Sequence, residues 1–260
     1  MSFLRLLGST GLQVSALGLG TVKFGRNSGV KYPTAFELPD DTTIRNLLSL
    51  AKELQINLLD TAPAYGTSEE RLGQLLTDRK DWLITTKVGE EFINGESHFD
   101  FSARHTRLSI ERSLQRLRTD YLDLVLIHSD GNDEAILHNG ECVQMLRDCQ
   151  RQGLVRAIGM STKTIAGGCL AAELLDVVMV TWNLQQQDTA VVERARALNK
   201  GILIKKGLMS GHVQAGGQQD TVLASMQLNF RTPGIHSMIV GTLNAEHLRS
   251  NVTKALQALG

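Results

Sequence analysis

The sequence predicts an α/β fold, a closed (β/α)8 TIM barrel with an N-terminal β-hairpin. Eight short runs rich in Leu and β-branched residues alternate with longer amphipathic segments, and parallel strands need the crossover helices that such alternation supplies. The length, 260 residues, suits eight strand–helix units closed on themselves. The alternative, an open doubly wound sheet, often carries GxGxxG after its first strand, whereas here Gly18 and Gly20 are followed by Lys23.

Taken in order, residues 3–15 come first. Leu4, Leu6, Leu12 and Val14 alternate around Gly-Ser-Thr-Gly at 8–11, the pattern of a short hairpin. Barrel strands are expected at 16–21, 57–60, 82–87, 122–128, 154–159, 177–182, 202–206 and 237–240. Between them lie apolar stripes of helical period. Ile44, Leu47, Leu48, Ala51 and Leu54 form one, Ile110, Leu114 and Leu117 another, and Leu248, Val252, Ala255 and Leu259 the last. Two long loops, 23–39 and 88–101, stand out, and loops of that length are often functional. Nothing resembles an interdomain linker, so residues 1–260 read as one domain.

Apolar residues make up 42% and charged residues 21% of the chain, enough to build a core and ordinary for a water-soluble fold. Lys plus Arg and Asp plus Glu number 27 each, a balance that points to no nucleic-acid partner and no acidic membrane surface. Cys142, Cys149 and Cys169 are odd in number and form no CxxC pair, which favours a reducing compartment. Cys142, Leu146 and Cys149 share a helix face, as small buried hydrophobes do. The N-terminus lacks a basic segment followed by an apolar run, and no apolar stretch reaches the roughly 20 residues that span a bilayer. A cytoplasmic location is expected. His98 and His105 show no metal-ligand spacing, so no metal is expected.

Active sites on this barrel lie at the C-terminal ends of the strands. The second, third and fourth predicted strands end at Asp60, Lys87 and His128, and Tyr65 follows Asp60 within a tight loop. Singly, each has a bland reading. Asp60 could cap the helix near Ser68, Lys87 could be a solvated strand end, His128 a hydrogen-bonded core residue, and Tyr65 a packing aromatic. Four such coincidences in barrel order are a weak explanation.

Asp-Thr-Ala-Pro-Ala-Tyr-Gly at 60–66, Thr-Lys-Val at 86–88 and Leu-Ile-His at 126–128 resemble the signature and two further catalytic segments of the aldo-keto reductase family. The likeness runs from Gly18 to Asn251. It implies a catalytic tetrad of Asp60, Tyr65, Lys87 and His128, an NADPH (NADP+) cofactor with NADH as the alternative, and a small-molecule carbonyl substrate. The chemistry agrees. Carbonyl reduction takes a hydride that no side chain can supply and a proton from a positioned acid. A free phenol titrates near about 10, and the Lys87 ammonium is expected to lower that value. Asp60 would hold Lys87 charged, and His128 would orient the carbonyl oxygen and donate a hydrogen bond as charge develops.

By resemblance, the cofactor lies against Gly20, Thr21, Asp60, Ser161, Thr162, Lys205, Lys206, Leu208, Ser210, Gly241, Thr242, Asn244, His247 and Asn251. Ser161 matches the serine that binds the carboxamide, with Thr162 where the family usually has Asn. Two departures are plain. Met179 stands where the family has Gln, and Lys205-Lys206-Gly207-Leu208 replaces the segment bearing the aromatic that stacks on nicotinamide. Either a lysine stem lies along the ring or one ammonium faces the pyrophosphate. The Lys and Arg that commonly clamp the 2′-phosphate are Gly241 and His247 here, and the charge of His247 depends on pH. The free N–H groups that open the last helix also favour phosphate, and Thr242 and Asn244 offer further bonds. Phe24, Phe92, Phe99 and Trp182 either wall an apolar pocket or pack the loops. Two other functions fit the fold: a nucleotide-sensing regulatory protein with little turnover, and a Schiff-base lyase using Lys87.

Overall fold

A computed structural model describes residues 2–30, 35–209 and 220–260. Two short strands, β1 (Leu4–Leu6) and β2 (Gln13–Ser15), pair antiparallel as the expected hairpin. The barrel follows with β3 (Leu17–Gly20), β4 (Leu58–Asp60) and β5 (Leu83–Val88). A second antiparallel hairpin, β6 (Glu90–Ile93) with β7 (Glu96–Phe99), leaves the barrel wall, which resumes with β8 (Leu122–His128), β9 (Val155–Ser161), β10 (Val177–Thr181), β11 (Gly201–Lys205) and β12 (Ser237–Val240). All barrel neighbours are parallel, and β12 pairs with β3 to close the ring. Strand ends differ from expectation by one or two residues, the usual scatter of such boundaries.

The stretch 88–101, expected as a loop, is therefore corrected to a hairpin. Its turn is Asn94-Gly95, both at positive φ (53° and 87°), the geometry that lets a two-residue turn match strand twist. Gly89, at φ 99°, bends the chain away from β5, and a Cβ there would stand 2.4 Å from the Phe101 ring.

The helices include α1 (Val22–Gly25), α2 (Asp41–Glu53), α3 (Ser68–Leu75), α4 (Ala103–Arg116), α5 (Asp133–Asn139), α6 (Glu141–Arg151), α7 (Ile165–Leu174), α8 (Thr189–Ala197), α9 (Thr221–Arg231) and α10 (Ala245–Leu259). The predicted stripes face inward: Ile44, Leu47, Leu48 and Ala51 on α2, and Leu248, Val252, Ala255 and Leu259 on α10, are buried against the strands. Cys142, Leu146 and Cys149 are buried on α6, and burial pushes the Cys142 thiol up to about 12, against a weak pull from Thr106. Such a thiol is inert at neutral pH. A separate apolar cluster fills the barrel, with Leu58, Leu124, Leu126, Val177, Met179 and Leu203 meeting Leu7, Leu12 and Val14 from the N-terminal segment. That segment plugs the bottom of the barrel: Ser9 N–H donates to Asn199 O, just before β11 begins. Among the described residues no helix is long and apolar enough to cross a membrane.

Candidate active site

The top of the barrel gathers the polar strand ends. In register, Gly20 lies opposite Asp60, His128 opposite Ser161, and Thr181 opposite Lys205. Asp60 and Lys87 are buried, 5% and 1% exposed, so neither is a solvated strand end. The Lys87 ammonium donates to Asp60 Oδ1 at 2.7 Å, to the Thr61 carbonyl at 2.8 Å and to the Tyr65 hydroxyl at 3.2 Å. An ammonium has three N–H bonds, and all three are used. The Tyr65 oxygen thus accepts from Lys87, which leaves its own O–H available to a ligand.

Tyr65 is delivered by a 3-10 turn, Pro63–Tyr65, with Gly66 at φ 61° behind it. A Cβ on Gly66 would stand 2.1 Å from the Gly25 carbonyl, and one on Gly25 would stand 2.4 Å from the Tyr65 carbonyl. Two glycines in contact thus set how deep the turn sits. Thr21 supports the turn from below. Its hydroxyl bonds the Asp60 carbonyl and the Ser68 hydroxyl, so its side chain serves the loop. Asp60 does not cap α3, whose N-cap is Thr67 with no side-chain bond.

The electrostatics correct one expectation. Burial raises the Tyr65 phenol above its ordinary value, and the charges of Asp60 and Glu90 add to the rise. Lys87 pulls the other way without winning. The expected lowering fails chiefly because the phenol is buried, and also because the ammonium arrives with its own carboxylate partner. Burial alone would lower Lys87, yet Asp60 and Tyr65 raise it overall. It stays charged and Tyr65 stays protonated at neutral pH.

His128 ends β8 with its ring edge toward Tyr65, 6.3 Å between centroids. Its Nδ1 stands 2.6 Å from Glu90 Oε2, without full alignment of its N–H on that oxygen. Ser97 donates to the other Glu90 oxygen at 2.6 Å. Burial would raise the Glu90 carboxyl, but His128, Ser97 and the Arg26 guanidinium bring it down to about 2. Burial first, then the cations of Lys87 and Lys205, hold His128 below the usual imidazole range, against the pull of Glu90.

A cavity of about 990 Å³ opens above these groups. Asp60, Tyr65, Lys87 and His128 line it together with Gly20, Ser161, Thr162, Lys205, Lys206, Leu208, Gly241, Thr242, His247 and Asn251. Ser210 lies outside the described residues. Thr21 and Asn244 fall outside the lining, and the Asn244 side chain caps α10 by accepting from Glu246 and His247 N–H. Asn244 is thus a helix cap rather than an open phosphate ligand. The Lys205 ammonium donates to Ser161 Oγ at 2.9 Å and to the Thr162 carbonyl at 2.5 Å. Burial, with Lys206 and Lys163 nearby, brings it down to about 7 despite Asp133 and Asp188. Asp133 steadies the same loop: its Oδ2 accepts from Lys163 N, Thr164 N and Thr164 Oγ1.

Phe24 and Trp182 are in the core, Phe92 stacks under Arg26, and Phe99 stacks on Phe101. None of the four lines the cavity, so these aromatics pack loops. Three lining cations lie outside the set expected from the sequence, Lys23, Lys163 and Lys254. Lys254 sits seven residues after His247, on the α10 face that also turns Ser250 and Asn251 inward. Lys23, Lys87, Lys163, Lys205, Lys206 and Lys254 line the cavity with, among the described residues, the single lining carboxylate of Asp60, and Lys254 is held by Asp220 at 2.7 Å from outside the lining. That imbalance fits a polyanionic ligand such as a dinucleotide.

A sequence model of the aldo/keto reductase family matches residues 16–229. The chain belongs to the aldo/keto reductase family. A crystal structure from Pseudomonas aeruginosa described as an aldo-keto reductase is 53% identical, with a TM-score of 0.91 over 100% of this chain and 97% of that one. L-galactose dehydrogenase of Arabidopsis thaliana is 29% identical, over 99% of this chain and 90% of its own. Methylglyoxal reductase DkgB of Salmonella typhi is 28% identical, over 93% and 87%. As an aldo/keto reductase the chain is an oxidoreductase, of a family that generally uses nicotinamide cofactors and small carbonyl compounds.

Proposed function

We propose that this aldo/keto reductase reduces aldehydes or ketones to alcohols with NADPH, Tyr65 acting as general acid with Lys87, Asp60 and His128 around it. The Lys87 ammonium carries the reading, because its three bonds join Asp60, the Thr61 carbonyl and the Tyr65 hydroxyl beneath one cavity. When bound, NADPH supplies the hydride that reaches the carbonyl carbon. The carbonyl oxygen takes the proton of Tyr65 Oη, and Lys87 stabilises the phenolate left behind. Asp60 keeps Lys87 charged and fixed throughout, so little reorganisation accompanies the transfer. A phenol raised above its ordinary value holds its proton at neutral pH, which favours the reductive direction.

Gly20, Ser161, Thr162, Lys205, Lys206, Leu208, Gly241, Thr242, His247 and Asn251 would hold the cofactor. Lys254 joins them and supports NADPH over NADH, since the extra phosphate asks for a cation that Gly241 cannot give. The relatives' names span both directions of one chemistry, a dehydrogenase of a sugar and a reductase of a small carbonyl compound. In this reading, residues 1–260 act as one domain on a small carbonyl substrate without nucleic acid or membrane. Schiff-base chemistry at Lys87 is disfavoured, because a nucleophilic amine must be neutral and Asp60 keeps this one charged.

A spectrophotometric screen of NADPH and NADH against varied aldehydes and ketones tests the reading. NADPH oxidation is expected, and Tyr65→Phe should lower turnover by about 100-fold or more while binding cofactor as before. Full turnover in that variant would remove Tyr65 as the acid.

A further inference from the structure

Lys87 and Lys205 both line the cavity, yet their amines are held differently. Lys87 Nζ has three acceptors, one of them the Asp60 carboxylate, so it carries no free lone pair. Lys205 Nζ has two, Ser161 Oγ at 2.9 Å and the Thr162 carbonyl at 2.5 Å, and among the described residues no carboxylate forms an ion pair with it. A lysine amine has three N–H bonds when charged and two when neutral. Ser161 and Thr162 satisfy the neutral form completely, which leaves its lone pair to the cavity. The charged and titratable groups acting on this amine are Lys206 beside it, Asp133 at the start of α5, Lys163 after β9, Asp188 before α8 and His128 at the end of β8. Burial and the two cations outweigh the two carboxylates and bring it down to about 7. A lysine desolvated next to another cation is a recurrent form of nucleophilic amine.

We propose that Lys205 is a nucleophilic amine to which aldehydes add covalently in the cofactor-free protein, forming an imine on the cofactor shelf. The Nζ lone pair forms a bond to the aldehyde carbon while the carbonyl π pair moves to oxygen. Both Nζ protons then leave with that oxygen as water, so amine and aldehyde give imine and water with no change in redox level. The step needs no co-reactant. Ser161 and Thr162, which bond the free amine, are among the residues assigned to the cofactor, so adduct and cofactor exclude one another. That exclusion rests on the cofactor reading above, whereas the addition itself does not. An aldehyde that arrives first blocks the shelf until the imine hydrolyses, and a cofactor that arrives first covers the amine. The Schiff-base chemistry that the sequence allowed at Lys87 thus belongs to Lys205, as a covalent site for aldehydes and not as a lyase nucleophile.

Butanal with sodium cyanoborohydride at neutral pH fixes any imine as a butylated lysine, and peptide mass spectrometry reads each site on the wild-type protein. Lys205 should be butylated at least about ten-fold faster than the exposed Lys80. Its rate should level off about one pH unit above neutrality, as an amine at about 7 requires. Labelling of Lys205 no faster than that of Lys80, or a principal adduct at Lys87, would overturn the proposal. Saturating NADPH, with its binding followed by fluorescence, should slow labelling of Lys205 by at least about ten-fold and leave that of Lys80 unchanged. Lys205 labelled at an undiminished rate while NADPH is bound would overturn its place on the shelf. If NADPH does not bind, the cofactor reading fails on its own, and the rate at Lys205 against that at Lys80 still decides the addition.

Discussion

Lys205→Met should change stability in a way that depends on pH, and the structure sets the size. Lys205 ends β11, where its ammonium bonds Ser161 and the Thr162 carbonyl, and its burial beside Lys206 lowers it from 10.5 to about 7. A lysine lowered on folding binds fewer protons folded than unfolded between those values, so wild-type stability rises with pH across that window. Its unfavourable contribution is fully present below about pH 7 and fades as pH approaches the unfolded value. At roughly 1.4 kcal/mol per pKa unit, the contribution is about 5 kcal/mol at pH 6 and about 2 kcal/mol at pH 9. The methionine removes that cost together with two charge-assisted hydrogen bonds, worth together about 3 kcal/mol. At pH 6 the variant should be more stable than wild type by about 2 kcal/mol. At pH 9 that advantage should have disappeared. The difference of about 3 kcal/mol between the two conditions does not depend on how the lost bonds are valued. Urea denaturation of both proteins at pH 6 and pH 9 measures it. A stability change equal at the two pH values, within about 0.5 kcal/mol, would show that Lys205 has an ordinary proton affinity and refute the reasoning. The same variant should bind NADPH more weakly, because an active-site charge held at a cost in stability is expected to serve a ligand.

Three other perturbations follow from the site. Lys87→Met leaves the buried carboxylate of Asp60 without its partner, which should cost about 3–5 kcal/mol in urea unfolding, and Asp60→Asn in the same chain should restore part of it; a Lys87→Met protein as stable as wild type would contradict the pairing. Gly25→Ala puts a Cβ 2.2 Å from Ser68 N and 2.4 Å from the Tyr65 carbonyl, so the turn must move; turnover should fall at least about ten-fold with a lower Tm, and unchanged kinetics would mean the turn tolerates displacement. Lys254→Met should weaken NADPH about ten-fold in fluorescence titration while NADH changes little, and equal weakening of both would place this cation away from the extra phosphate.

How far the site could be read in advance follows from what kind of information each part needs. Asp60, Lys87 and His128 were legible because the barrel brings every strand end to one rim, so a polar residue closing an apolar run is already a statement about space. Glu90 needed the path of a segment that looked like a loop. The signal was present in Asn94-Gly95 between two short runs, which marks a hairpin, and pairing across that turn puts Ser97 against the Glu90 strand. Lys254 needed only the helical repeat continued seven residues past His247. The Tyr65 phenol is a different case. Lys87 is its neighbour, as the sequence predicts, yet the phenol shifts upward, because proximity of one charge does not sum burial, Asp60 and Glu90. Lys205 and Ser161 show the same limit. They stand 44 residues apart in the sequence, and only the register of β9, β10 and β11 reveals that the residue standing where the family stacks an aromatic reaches the serine matched to the cofactor's carboxamide. A departure from family pattern at one position therefore changes the meaning of a match at another. The cofactor shelf has to be judged as a set of contacts, and here that set is held by a lysine poised near neutrality.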